Sequence, residues 1–290
     1  MGYSHFAKMG DIWKHLPLCE VLKIESPKIY IESNAAFPYH TLTHTPEQEY
    51  GIYTFLERKS HSRLLETSEY SQIIERINEN HNSINKYLGS PGLAMEILGN
   101  SPNKYIFYDL DPLAIENLNI YTKKRNLDQI TSIYCKDSLE ILNSQIHEYN
   151  HEDFIHFDPY DLLQKNQLGL NFLDLFVKST KIGVKNLLWY GFHVTDQKDH
   201  LLQTFNHIFH ENNLLKQDYN LQNFLINLKI IQKDSINVNP GVLGCGVMVS
   251  NLSVKSTKII RQLQLDLVKI YQDSRFLDQP GDLVEEFIVY

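Results

Sequence analysis

Three times between residues 104 and 161, a short apolar run stops at a carboxylate. Lys104-Tyr105-Ile106-Phe107-Tyr108-Asp109 is the first. Ile130 to Tyr134, followed by Lys136-Asp137-Ser138, is the second. Phe154-Ile155-His156-Phe157-Asp158-Pro159-Tyr160 is the third. Each run is too short for a helix and rich in aromatic and branched residues, as strands buried on both faces are. Helix-length segments separate the runs. The alternation predicts a parallel sheet with right-handed crossovers. Pro159 cannot continue a central strand, so the third strand should stop at Asp158. Ligands of open α/β sheets bind beyond the carboxyl ends of the strands. A carboxylate, a free carbonyl and an aromatic ring therefore meet at the expected pocket. The same tripeptide also fits a plain strand-to-turn joint, with Asp158 capping and Tyr160 packing.

The remainder of the chain fits around that core. Lys28 to Ser33 reads as a first buried strand, running into Asn34-Ala35-Ala36-Phe37-Pro38, where small residues would let backbone approach a ligand. Before it, Asp11 is placed to cap a helix that carries Ile12, Leu16, Cys19 and Leu22 inward. Lys14 and His15 lie early in that helix, either in solvent or lining a pocket for an anionic group. In Tyr87-Leu88-Gly89-Ser90-Pro91, Ser90 suits an N-cap and Pro91 a first helical residue. Residues 46–86 mix charge with Leu and Ile and predict short amphipathic helices, a small helical insertion on the main sheet. There Lys59, His61 and Arg63 either form a solvated face or touch a polyanion. Asp109 at a strand end can accept from ribose hydroxyls. Asp137 can accept from an adenine amino group or cap the helix from Leu139. Asn186 to Phe192, Phe224 to Ile231 and Cys245 to Leu252 read as later strands, the last entered through Gly241, Gly244 and Gly246. Ile259 to Tyr271 closes the chain as a helix, with Glu286 to Tyr290 as a further strand. His200, His207 and His210 share a helix without metal-ligand spacing, so no metal is expected.

Composition narrows the class. With 290 residues, 42% hydrophobic and 21% charged, the chain suits one large α/β domain with an insertion. A net charge of −8 gives no general pull toward nucleic acid, though a local basic patch remains open. Cys19, Cys135 and Cys245 are odd in number and far apart, which suggests buried reduced thiols in a cytoplasmic protein. Lys8, Asp11 and Lys14 precede any apolar run, unlike a signal peptide, and no run is long enough to span a membrane.

These motifs, in this order, resemble the RlmJ family, S-adenosylmethionine-dependent methyltransferases of an adenine N6 in large-subunit ribosomal RNA. The family's H-A-x-x-x-A-D-V-L-K-H opening is similar to His5–His15, keeping Asp11, Lys14 and His15. Its first strand and glycine turn resemble Tyr30 to Pro38, and its Y-x-G-S-P is kept as Tyr87 to Pro91. Its acid before L-x-P looks like Asp109, its D-G pair like Asp137-Ser138, its D-P-P-Y like Asp158-Pro159-Tyr160, and its A-L-W-Y like Leu187 to Tyr190. The resemblance spans nearly the whole chain. It implies a class I (Rossmann-like) methyltransferase sheet, mostly parallel, built from residues 1–45 and 87–290, with 46–86 as an insertion that helps present RNA. It implies S-adenosylmethionine as cofactor, held by Lys14, His15, Asn34, Ser90, Asp109, Asp137, Ser138 and Asp158. It implies Asp158, Pro159 and Tyr160 as the catalytic residues. Three departures stand out: Ala36 and Pro38 replace glycines, Asn34 replaces a histidine, and one proline of D-P-P-Y is missing. The shortened motif and acidic balance leave a small-molecule or nucleotide acceptor as the alternative to ribosomal RNA.

Overall fold

The computed structural model describes residues 6–79, 84–215, 219–229, 240–272 and 283–290. His5 and residues 230 and 231 of the expected late strand lie outside them. Four strands pair in parallel as the apolar runs require: β1 (Ile29–Glu32), β4 (Lys104–Asp109), β5 (Thr131–Cys135) and β6 (Phe154–Phe157). A fifth, β7 (Lys185–Phe192), joins β6 in parallel. Three more extend the sheet antiparallel: β8 (Gln222–Leu228), β9 (Gly244–Ser250) and β10 (Leu283–Val289). The order is β10-β8-β9-β7-β6-β1-β4-β5. From β1 the chain steps outward through β4 and β5, then returns to lay β6 on the other side of β1. Strand order reverses there, and such a switch point opens a crevice at the carboxyl ends. This is the Rossmann-like sheet expected, mostly parallel with an antiparallel end.

Helices cover both faces. α1 (Met9–Glu25) is buried nearly all round, packing on α5 (Glu69–Asn78), α6 (Ser90–Leu98), α11 (Val254–Gln272) and the sheet. Its Trp13 indole donates to the Phe224 carbonyl at 3.0 Å, tying α1 to β8. α7 (Pro112–Lys124), α8 (Ser138–Gln145), α9 (Phe172–Lys181) and α10 (Thr195–Glu211) are the crossovers and flanks. A two-stranded ribbon, β2 (His40–Thr41) with β3 (Lys86–Tyr87), brackets the helical stretch. Within it lie α2 (Pro46–Gln48), a π turn over Glu49–Tyr53, α3 (Thr54–Arg58) and α4 (Arg63–Glu66), ahead of α5. No helix among the described residues is long and apolar enough to cross a membrane.

Several local expectations are corrected. Helix α1 starts at Met9, and Asp11 sits in its first turn, accepting from the Lys8 amide at 3.2 Å. Helix α6 starts at Ser90 with Gly89 as the cap, because the Ser90 hydroxyl is drawn to Glu32 instead. Lys59 is no solvated residue: it is buried and paired with Glu75. Cys19 and Cys245 are buried, but Cys135 is exposed at the end of edge strand β5. Gly244 and Gly246 lie within β9 rather than before it, opposite Phe192 and Tyr190, whose rings fill the space a Cβ would need.

Candidate active site

A cavity of about 1010 Å³ lies at the carboxyl ends of β1, β4 and β6, at the switch point. Lys14, His15, Asn34, Ser90, Asp109, Asp158, Pro159 and Tyr160 all line it. Asp137 and Ser138 are not on its wall. Asp137 caps α8, its Oδ1 accepting from the Leu139 amide at 2.9 Å, and Ser138 is buried behind it.

Sequence-distant residues meet around Lys14. Its Nζ lies 2.7 Å from Asp158 Oδ2 and 3.1 Å from Asp11 Oδ1, and 5.3 Å from the centre of the Trp189 ring. Burial disfavours the ammonium, but the two carboxylates outweigh it and raise the lysine above its ordinary range. Lys14 is therefore a permanent cation holding one oxygen of Asp158. Asp158 Oδ1 makes no protein hydrogen bond among the described residues, and Asp158 lines the cavity.

Two imidazoles share the wall. Burial, then the nearby charge of Lys14, keeps His15 well below the usual histidine range. Its Nδ1 meets the Tyr87 hydroxyl at 2.8 Å, while its Nε2 is buried with no protein partner. His40, which the sequence reading passed over, is pushed down to about 4, mainly by burial. Both stay neutral at pH 7.

On the nucleoside side, Asp109 is buried at the end of β4. It accepts from the Ala36 amide and the Asp111 amide, each at 2.8 Å. Ala36 adopts φ +56°, the left-handed conformation that glycine takes without cost. The turn thus takes a glycine-type backbone at an alanine. Close approach is supplied from the facing element: a Cβ at Gly89 would lie 2.3 Å from the Phe37 carbonyl oxygen, and one at Gly92 2.1 Å from that of Pro38.

Beneath the floor, Glu32 is fully buried and accepts from Tyr30 Oη at 2.9 Å and from Ser90 Oγ, with His156 Nδ1 at 3.2 Å. Glu32 was not singled out from sequence. The available signal was its position: it ends the first strand as Asp109 ends the fourth.

One group here suits a nucleoside: Asp109 presents a carboxylate on the cavity wall at a strand end. The Asn34-Ala35-Ala36 turn crowds the cavity with little side chain.

No family model matches the chain, and no curated protein matches it. Among solved structures, it is similar to protein LPL1258 of Legionella pneumophila, described by the family model DUF519. That likeness is 17% identical, covers 98% of each chain, and has a TM-score of 0.73. A ribosomal RNA methylase from Streptococcus thermophilus is 12% identical over 82% of this chain and 94% of that one, with a TM-score of 0.40. An O-methyltransferase from Bacillus cereus, in complex with SAH, is 11% identical over 82% and 80%, with a TM-score of 0.43. At these identities the first likeness bears on the fold alone, and the other two carry no weight for function.

Proposed function

We propose that this protein is an S-adenosylmethionine-dependent N-methyltransferase acting on the exocyclic amine of a flat base. Adenine N6 of ribosomal RNA is the acceptor that its RlmJ-like motifs imply. One observation carries the reading: Asp109 at the end of β4 and Asp158-Pro159-Tyr160 at the end of β6 face a single cavity. In this reading residues 46–86 are an insertion within a domain made of residues 1–45 and 87–290.

Asp109, Ser90, Asn34 and His15 are the residues that would hold the cofactor, which supplies a methyl group already activated on a sulfonium sulfur. The chain is left to align and polarise an amine, and alignment contributes up to about 7–11 kcal/mol. Lys14 fixes Asp158 through Oδ2, which leaves Oδ1 to accept one amine proton. The Pro159 carbonyl accepts the other, and the nitrogen lone pair is exposed. Tyr160 is fully exposed at the mouth. A flat acceptor can stack on its ring, worth about 1–3 kcal/mol per base. A small-molecule or nucleotide acceptor is the second reading, favoured by the shortened Asp158-Pro159-Tyr160 motif.

The test joins a calorimetric titration with S-adenosylmethionine to transfer of labelled methyl onto ribosomal RNA fragments and small amines. Asp158→Ala should lower turnover by about 10²-fold or more while sparing cofactor binding, since Asp11 still partners Lys14. Retained transfer in that variant would remove Asp158 from the chemistry.

A further inference from the structure

A helix and a strand together build a slot for one ring. Trp189 and Gly191 lie two apart on β7 and so share a face of the sheet. A Cβ at Gly191 would lie 3.0 Å from Trp189 Cη2, so the indole leans over the glycine and leaves no easy room for a side chain. Helix α1 brings up Gly10, where a Cβ would lie 3.2 Å from Trp189 Cζ2. Val242 packs beside both glycines, its methyl carbons 3.3 Å from a Cβ at Gly191 and 3.6 Å from one at Gly10. The benzo edge of the indole therefore touches helix and strand at once, and the ring has little freedom to turn.

Lys14 stands one turn after Gly10 on α1, on the same helix face. Long helical side chains lean back toward the N-terminus. That lays Lys14 across the turn that carries Gly10, over the ring that Gly10 touches. Its Nζ lies 5.3 Å from the ring centre, within reach of the attraction between a cation and an indole face. The same atom meets Asp11 Oδ1 at 3.1 Å and Asp158 Oδ2 at 2.7 Å. A lysine stem is flexible, and pairing with Asp11 alone would leave Asp158 unheld. The ring is a third, uncharged contact at the one position that reaches both carboxylates. Gly10, Asp11, Lys14, Asp158, Trp189 and Gly191 all line the cavity.

We propose that Trp189 is a positioning residue for methyl transfer. Its face holds the Lys14 ammonium at the bridge between Asp11 and Asp158, and so keeps Asp158 set for the acceptor amine. The proposal rests on the methyltransferase reading and adds to it a residue that acts through Lys14. Gly10 and Gly191 are what let the ring lie there.

The experiment uses the full chain. Trp189→Leu removes the ring face and keeps apolar bulk, whereas Trp189→Phe keeps a smaller face. Each is titrated with S-adenosylhomocysteine by calorimetry and assayed for methyl transfer to ribosomal RNA fragments. Trp189→Leu is expected to lower kcat by about tenfold, with S-adenosylhomocysteine affinity and KM for the RNA close to wild type. Trp189→Phe should keep most of the activity. In a Lys14→Met background, Trp189→Leu should lower kcat no further, which a ring that merely packs would not produce. A second measurement needs no acceptor. The chain has two tryptophans, so Trp13→Phe leaves Trp189 as the sole indole. Adding Lys14→Met should then shift the Trp189 emission, because a charge beside the ring is removed. The proposal is overturned if Trp189→Leu turns over like wild type, if its loss adds in full to that of Lys14→Met, or if the emission does not move. Absence of any heat with S-adenosylhomocysteine in the wild type would sink the methyltransferase reading. Normal binding and transfer with an indifferent Trp189→Leu would sink this proposal alone.

Discussion

Lys14 shows what burial does to a single residue. In sequence it is one more lysine near a helix start, and a solvated side chain is the ordinary outcome. Placed between Asp11 and Asp158, it becomes a fixed cation whose removal would leave two carboxylates facing each other across a partly buried site. Its neighbour His15 was legible as a pocket residue only through its place in the motif. That its Nε2 is buried without a protein partner is a fact of packing. Ala36 makes a quantitative point. A non-glycine residue at φ +56° costs about 1–2 kcal/mol, and glycine loses about 0.5–1 kcal/mol more backbone entropy on folding. Ala36→Gly should therefore stabilise the protein by roughly 0.5–1 kcal/mol. A rise in the urea midpoint at unchanged slope is the expected result, and a lowered midpoint would show that the turn is not strained.

Among the elements, the strands were read most securely. β4, β6 and β7 end within a residue or two of the expected positions, because alternating apolar runs punctuated by Asp, Pro and Gly leave few other solutions. Helix starts were read less well. Asp11 and Ser90 are good caps by residue type, yet neither is the N-cap: Asp11 sits in the first turn, shared by the Lys8 amide and Lys14, and Ser90 is drawn to Glu32, 58 residues away. The joint of α6 with the 34–38 turn carries a sharper expectation. Gly89 and Gly92 touch the Phe37 and Pro38 carbonyls with no room for a methyl group. Gly89→Ala or Gly92→Ala should cost about 1–3 kcal/mol by forcing the backbones apart. Either should also weaken cofactor binding, since the shift moves the Ala36 amide off Asp109. Thermal melts and calorimetry on both variants would show it. Wild-type affinity in a destabilised variant would mean that the joint supports the fold but not the site.

At the scale of the whole molecule, the site belongs to no single element. α1, β4, β7 and the segments that follow β1 and β6 each supply part of the wall, so ligand binding should stabilise the chain as a unit. S-adenosylhomocysteine at a hundredfold its dissociation constant is expected to add about 2.7 kcal/mol and raise the melting temperature. Asp109→Ala should lose most of that increment at equal ligand concentration, and an unchanged shift would deny Asp109 a part in holding the nucleoside. From the sequence alone came the parallel core, its strand-end acids Asp109 and Asp158, and the order of the motifs, because periodicity and turn chemistry act between near neighbours. Which acids share a cavity was settled only in three dimensions. Asp137 caps α8, Glu32 went beneath the floor, and the two lysines among the described residues of the wall, Lys8 and Lys14, found carboxylates. The Asp137 cap is a local contact that the sequence left as one of two alternatives, whereas the other outcomes depend on Coulombic and packing contacts between residues far apart in the chain.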